Sequence, residues 1–316
     1  MKKCYVSKNF RDQSRAIIQI ANQIIEEYED QGFTLTLRQL YYQFVARDII
    51  PNKQAWYDKL GSIINDARLA GLISWDALED RTRNIRKNQH WNGIDEILEA
   101  AKNSYRIDTW STQPTYVEVW IEKDALVGVI EDVCERMDVT YFSCRGYTSA
   151  SEMYKAGERM NRAIEQGRRP IVLHLGDHDP SGIDMTFDIW KRLNMFAGAN
   201  YKVLQKLDPK SSMHVVKWDF IDDGVEVRRL GLNREQIEQF SPPPNPAKVT
   251  DSRSKTYIQE HGYESWELDS LSPRVLSSII DQEVRSILDL EKWEAQREMQ
   301  RMGRKEIGDI IEGIRS

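Results

Sequence analysis

Three short apolar segments, each followed by a stretch with helical periodicity, constrain the fold of this 316-residue chain more than any other feature. The segments cover residues 116–121, 141–144 and 171–175, and they have the length and the aromatic and aliphatic content of strands. Strands that alternate with helices pair in parallel and are joined by right-handed crossovers. The chain is therefore predicted to be an α/β protein with a parallel sheet flanked by helices.

Acidic side chains follow the first and third of these segments. Glu122 ends the first, and Asp177 and Asp179 follow the third. Because the carboxyl ends of parallel strands meet at one edge of a sheet, all three side chains are expected in one crevice if the two strands are close. Clustered carboxylates repel one another, and Mg²⁺ relieves that repulsion because it prefers oxygen ligands. We expect a magnesium site here; the alternative is a polar turn after a core strand.

Composition limits the classes of function. The content of 40% hydrophobic residues is enough for a sizeable core, and the net charge of −6 argues against a polybasic binder. A nucleic-acid partner would therefore need local basic patches. Three widely spaced cysteines without a C-x-x-C pair indicate neither zinc nor a disulfide framework, and favour a reducing compartment. We expect a cytoplasmic protein without a membrane span, because no apolar run is long enough to cross a bilayer.

The first 110 residues have a different pattern, which is mostly helical. Apolar spacing predicts a helix that ends near Gly32, and Thr36 with Gln39 forms a capping box that opens a second. A third helix is expected to run to about Ala70, followed by a short β-like stretch at 72–75. Helix, turn, helix and small strand is a winged-helix outline, a common DNA-binding shape. We therefore divide the chain into a winged-helix domain, 1–110, and a metal-binding domain with a C-terminal helical extension, 111–316.

The second predicted helix carries two adjacent tyrosines. At 100° per residue, Tyr41 falls on the apolar face, whereas Tyr42 and Arg38 are neighbours on its flank. Tyr42 is therefore expected to point outward beside an arginine. It is either an ordinary surface tyrosine or a nucleophile toward phosphorus, in which case the arginine would steady the phosphate and the phenolate.

Basic residues outside this helix are candidates for DNA contacts. A cluster follows the expected wing and suits phosphate binding, although a solvated charged face is the alternative: Arg81, Arg83, Arg86 and Lys87. His178 lies between the two aspartates, and Arg253 lies in a late polar loop. Each of these two is either a DNA contact or an incidental loop residue.

Several other α/β chemistries lack their motifs. The chain contains no G-x-G-x-x-G after its first strand, no G-x-x-x-x-G-K-[ST] and no G-x-S-x-G. These absences argue against a dinucleotide site, a nucleotide-hydrolysing phosphate loop and a serine-hydrolase elbow, respectively.

A glutamate at one strand end and an Asp-x-Asp at another, within an α/β sheet, resemble a TOPRIM domain. TOPRIM domains bind Mg²⁺ in topoisomerases, primases and some nucleases. An Arg-x-x-x-Tyr helix placed before such a domain is similar to the A subunit of topoisomerase VI and the related meiotic double-strand-break proteins. The compact chain most resembles the stand-alone Mini-A type. Further matches are Glu122-Lys123, Arg145-Gly146-Tyr147, Asp177-x-Asp179-Pro180-x-Gly182 and, more loosely, Glu267-Leu268-Asp269-Ser270-Leu271.

The resemblance implies roles for particular residues. Tyr42 and Arg38 would be catalytic. The metal would be bound by Glu122, Asp177 and Asp179. Lys123 and Arg145 would contact DNA. It also implies double-stranded DNA as substrate, a 5′-phosphotyrosyl link and a homodimer. Gln39 stands where that family has an acidic residue.

An ATPase B-type partner is left open by the sequence, so DNA cleavage is the expected activity rather than ATP-driven strand passage. Two alternatives remain open. One is a hydrolytic TOPRIM nuclease without a covalent intermediate. The other is a non-catalytic winged-helix protein that binds DNA.

Overall fold

The structure is a computed structural model that describes residues 2–78, 88–198, 224–251 and 253–315. The predicted cationic cluster lies outside the described residues: Arg81, Arg83, Arg86 and Lys87.

Three helices form the N-terminal part: α1 (Asp12–Glu29), α2 (Leu37–Ala46) and α3 (Gln54–Leu69). All three were predicted, and α2 begins at the predicted capping box. The Thr36 hydroxyl accepts from the Gln39 amide at 3.2 Å, and the Gln39 side chain accepts from the Thr36 amide at 2.9 Å. The helices pack around a shared apolar core that includes Ile17, Ala21, Ile24, Leu40, Phe44, Leu60 and Ile64.

The prediction of a small strand at 72–75 was wrong. The chain instead enters a 3₁₀ helix, Trp75–Ala77, in which the Ser74 hydroxyl accepts from the Asp76 amide. The Arg68 guanidinium donates to the Trp75 carbonyl and lies over the indole ring, 4.6 Å from its centroid. These contacts fix the segment against α3, so it does not extend as a strand. The described N-terminal part is therefore helical, with isolated β-bridges but no wing hairpin.

The central sheet has four parallel strands in the order β2-β1-β3-β4: β1 (Thr115–Ile121), β2 (Thr140–Ser143), β3 (Arg169–Leu175) and β4 (Glu226–Gly231). The first three strands were predicted. The fourth strand was not predicted, because adjacent arginines interrupt its apolar pattern.

Helices cover both faces of the sheet. On one face α5 (Val127–Arg136) and α10 (Pro273–Ile287) enclose the larger core. On the other face α6 (Ala150–Glu165) and α7 (Pro180–Phe196) pack on a second core around Trp120. Burial on both faces explains why β1 and β3 are mostly apolar.

The remaining elements lie mostly after β4. The chain forms α4 (Ile94–Ser104), α8 (Arg234–Phe240), α9 (Ser254–His261) and α11 (Leu290–Arg315), and a short antiparallel pair, β5 (Asn245–Pro246) with β6 (Glu264–Ser265). Between β6 and α10 a 3₁₀ helix, Leu268–Ser270, contacts α2. The N-terminal helices therefore meet the sheet domain at this segment. Within the described ranges, no helix combines the length and apolarity needed to cross a membrane.

Candidate active site

The ends of β1 and β3 bring Glu122 and Asp177 together. Ile121 pairs with Leu175 in the parallel register, so the two strands are the neighbours that the sequence analysis required. The Glu122 amide donates to the Leu175 carbonyl at 2.8 Å, and the Asp177 amide donates to the Glu122 carboxylate at 2.8 Å. The two acidic residues are therefore connected directly at the carboxyl edge of the sheet.

Both aspartates of the following loop are buried and accept backbone hydrogen bonds. Asp177 Oδ1 accepts from the Leu268 amide at 2.8 Å. Asp179 precedes α7 as its N-cap, and its Oδ1 accepts from the Gly182 amide at 2.6 Å and the Ser181 hydroxyl at 2.9 Å. A carboxylate suits this place because the first amides of a helix lack intrahelical partners and carry partial positive charge.

Two glycines allow this loop to be compact. A Cβ on Gly182 would lie 2.2 Å from the Asp177 carbonyl oxygen, and a Cβ on Gly176 would lie 2.9 Å from Glu122 Oε2. No other residue type fits either position without moving an acidic residue. The tight turn of the loop and its close approach to Glu122 therefore depend on these two glycines.

Lys123 lies at the centre of the acidic cluster. Its ammonium is 3.0 Å from Asp177 Oδ1, 2.9 Å from Glu267 Oε2 and 3.0 Å from Asp269 Oδ1. Burial alone would lower the lysine pKa, but Asp269, Asp177 and Glu267 raise it, so the side chain stays charged. Its predicted contact with DNA would require it to leave these three partners.

The carboxylates of the cluster differ in protonation. Burial, with Glu122 and Asp269 nearby, raises the pKa of Asp177 to about 7 in spite of Lys123. Burial likewise raises the pKa of Glu122, and Asp179 adds to that effect. Burial acts in the same sense on Glu267, but Lys123 and Arg38 outweigh it and hold its pKa at about 2. Crowded acids next to buried cations are typical of functional sites.

The site matches Mg²⁺ in its donor chemistry. Most polar groups of the site are carboxylate oxygens, which Mg²⁺ prefers as ligands. The carboxylates of Asp177, Glu267 and Asp269 already surround one cation, the Lys123 ammonium. In the described parts of the chain, however, no three Asp, Glu, His or Cys side chains are arranged to share one metal ion. Glu122, Asp177 and Asp179 are oxygen ligands of the kind Mg²⁺ prefers, and Asp177 is paired with Lys123 in this structure.

The N-terminal helices contribute Arg38 and Tyr42 to the same cluster. Arg38 Nε is 3.0 Å from Asp269 Oδ2, and its Nη2 pairs with Glu267. The same Nη2 donates to the Tyr42 hydroxyl at 3.3 Å. These contacts connect the predicted Arg–Tyr pair to Lys123, because both cations bind Glu267 and Asp269.

The prediction that Tyr42 is exposed was wrong: only 2% of the residue is accessible. The helical periodicity misplaced it, because Tyr42 belongs to the apolar core of the N-terminal helices; α2 also contacts the 3₁₀ helix Leu268–Ser270. Burial raises the pKa of Tyr42, and Asp269 and Glu267 raise it further, whereas Arg38 opposes them. The phenol is therefore neutral at neutral pH.

The other predicted DNA contacts occupy different environments. His178 is buried, not on the surface, because its ring packs among aromatic side chains; Nδ1 lies 3.0 Å from the Tyr257 hydroxyl, and burial lowers the histidine pKa to about 3. Arg145 is exposed and pairs with Asp124 at 3.0 Å. Arg253 is partly exposed and pairs with Asp184 at 2.8 Å.

Three site residues had no role in the sequence analysis. Glu267 and Asp269 lie in the loosely matching late element, and their spacing was the available signal. Arg229, on β4, binds the loop of the aspartates, and no local pattern marked it.

Comparison of the chain with models of known protein families and with curated proteins gives no match.

Proposed function

We propose that this protein is a Mg²⁺-dependent DNA-cleaving enzyme with a TOPRIM-type site, in which Tyr42 attacks a backbone phosphorus. One observation carries the proposal. Tyr42 and Arg38, from the N-terminal helices, join the acidic cluster of Lys123, Glu267 and Asp269 at the sheet edge. A phenol, a guanidinium and carboxylates at one point supply the groups that phosphoryl transfer to a tyrosine needs.

The reaction is a transesterification. The Tyr42 oxygen forms a bond to phosphorus while the bond from phosphorus to the 3′ oxygen breaks, which leaves a 5′-phosphotyrosyl link and a free 3′ hydroxyl. The phenol loses its proton and the departing oxygen gains one, so the step is balanced without a co-substrate. Arg38, within hydrogen-bond reach of the Tyr42 oxygen, stabilises the developing phenolate and the charge on the phosphate.

Glu122, Asp177 and Asp179 would hold the magnesium ion. When bound, Mg²⁺ supplies charge neutralisation at phosphate oxygens. The chain's own residues do the rest: Lys123 and Arg38 offer positive charge to the phosphate, and Gly176 keeps the Glu122 carboxylate close to the loop.

Cleavage requires the two domains to separate. Tyr42 is buried, its hydroxyl accepts from Arg38, and Arg38 is bound to Glu267 and Asp269, so a phosphate cannot reach the phenol in this conformation. We infer that the structure is a closed state. DNA phosphates can substitute for the two carboxylates as partners of Arg38, and this exchange uncovers Tyr42. Cutting both strands needs two tyrosines, which a homodimer supplies.

The test compares the two adjacent tyrosines. Tyr42→Phe should abolish protein-linked DNA on denaturing gels after incubation with plasmid and Mg²⁺. Tyr41→Phe is the matched control, because Tyr41 hydrogen-bonds Asn52 and the Lys53 backbone and has no place in the chemistry. It should retain the linked product. Covalent DNA in the Tyr42→Phe protein would refute the proposal.

A hydrolytic nuclease is the second candidate, and the burial and raised pKa of Tyr42 favour it. In that case water attacks phosphorus and Tyr42 only packs between the domains. Undiminished cutting by Tyr42→Phe, with free DNA ends, would support this alternative.

A further inference from the structure

Arg229 joins both ends of the loop that carries the aspartates. Its Nη2 donates to the carbonyls of Gly176 at 3.1 Å and Asp177 at 2.6 Å. Its Nη1 donates to the Gly182 carbonyl at 2.9 Å and the Thr186 hydroxyl at 2.8 Å. One guanidinium therefore fixes the start of the loop, its end and the first turns of α7.

The acceptors of these bonds are neutral, although the side chain is charged. Burial lowers the pKa of Arg229 to about 10, which leaves it protonated at neutral pH, and Glu122, Asp177 and Asp179 act against the lowering. Among the described contacts its hydrogen bonds go to carbonyl and hydroxyl oxygens and not to a carboxylate. The positive charge thus stabilises the acidic cluster from a distance and leaves carboxylate oxygens available to a ligand.

We propose that Arg229 is a positioning residue that holds the 176–182 loop in the geometry in which Asp177 and Asp179 bind a divalent cation. The inference rests on the proposed metal site. Gly176 and Gly182 are bound to the same guanidinium, so the short chain that carries both carboxylates is held at its two ends. Arginine is required because its planar fork presents donors in two directions, whereas the donors of lysine share one nitrogen.

The matched control is the preceding residue of β4. Arg228 pairs with Glu226 at 2.6 Å and with Glu283 of α10 at 2.6 Å, and it makes no described contact with the loop. Arg229→Met and Arg228→Met therefore remove the same group from adjacent positions, one bonded to the loop and the other to a helix.

The test has two readouts on the full chain. The first is the affinity for Mn²⁺ alone, measured by calorimetry; Arg229→Met should weaken it roughly tenfold or more, and Arg228→Met should not change it. The second is hydrogen exchange without metal. The amides of Asp177 and Gly182, which donate to Glu122 and Asp179, should exchange at least about tenfold faster in Arg229→Met only.

The outcomes separate this inference from the proposed function. Unchanged exchange in Arg229→Met, or faster exchange with unaltered Mn²⁺ affinity, would overturn the positioning role. Failure of the unaltered protein to bind Mn²⁺ would overturn the metal site itself, and with it the role assigned to Arg229. If Arg229→Met does not fold, Arg229→Lys takes its place: it keeps the charge but not the fork, so loss of Mn²⁺ affinity supports the inference and full affinity contradicts it.

Discussion

Cationic and acidic side chains of the site bind one another in a continuous network. Arg38 and Lys123 share Glu267 and Asp269, and Lys123 also binds Asp177. Buried ion pairs of this kind contribute little net stability, because desolvation offsets much of the attraction between the charges. Under the proposed function, the same cations can transfer to phosphate oxygens.

Asp177 gives this cluster a pH dependence. In the folded state burial raises its pKa to about 7, whereas an aspartate in an unfolded chain titrates near pH ~4. The folded state therefore holds the proton more tightly, and the stability linked to that proton is present below about pH 4 and is lost as pH rises through 7.

Asp177→Asn should therefore gain stability relative to the unaltered protein as pH rises from about 4 to about 7. The expected gain is on the order of 3 kcal/mol, because each unit of pKa shift corresponds to ~1.4 kcal/mol, and it is measured by urea unfolding in chelator. Asp132→Asn is the control, because the same change on an exposed side chain should show no such trend. A stability difference for Asp177→Asn that is the same at both ends of this range would contradict the account.

Among the helices and strands, short sequence patterns predicted the elements whose structure depends on neighbouring residues in the chain. The capping box of Thr36 and Gln39 set the start of α2, and apolar runs identified β1, β2 and β3. The same runs placed Glu122 and Asp177 at one edge, because parallel pairing brings equivalent strand ends together.

Long-range contacts explain what the sequence did not reveal. The strand β4 contains Arg228 and Arg229, which look unsuited to a sheet until their partners on α10 and in the aspartate loop are known. Tyr42 was expected to be exposed, but it packs in the core of the N-terminal helices. A helical wheel of one helix cannot include the packing of other segments against it.

A second contact between the N-terminal helices and the sheet domain could be cross-linked to prevent the two from separating. The Asn52 amide group, between α2 and α3, donates to Asn245 Oδ1 at 2.8 Å and to the Pro244 carbonyl at 3.0 Å. This contact involves none of the proposed catalytic groups. A covalent link here should hold α2 against the sheet domain without changing the site.

We predict that joining Asn52→Cys to Asn245→Cys with a short reducible cross-linker lowers formation of protein-linked DNA roughly tenfold or more, because Tyr42 stays buried. In these variants the exposed Cys4 is replaced by Ser so that it does not react with the cross-linker. Cys134 and Cys144 are kept because they are buried. Reductant should restore the product, and the single Asn52→Cys protein treated identically should show no loss. If the cross-linked protein cleaved DNA as fast as the same protein after treatment with reductant, domain opening would not be needed.

Viewed as a whole, the molecule carries a net charge of −6, so under the proposed function DNA would approach through local cations. Arg145 and Lys248 are exposed near the carboxyl edge of the sheet; Arg145 follows β2, and the Lys248 ammonium lies 3.8 Å from Asp179 Oδ2. The N-terminal helices cover that same edge through α2. Domain opening would thus expose the acids, their flanking cations and Tyr42 together.

The central claim is that Tyr42 becomes covalently attached to DNA, and the most direct measurement is the mass of the attached peptide. After reaction with a short duplex and Mg²⁺, trypsin cleavage following Arg38 and Arg47 releases one peptide that contains both Tyr41 and Tyr42. Fragmentation then identifies which of the two carries the nucleotide. We predict a 5′-phosphoryl nucleotide on Tyr42. Cleaved DNA with free ends, or a nucleotide on any other residue, would contradict it.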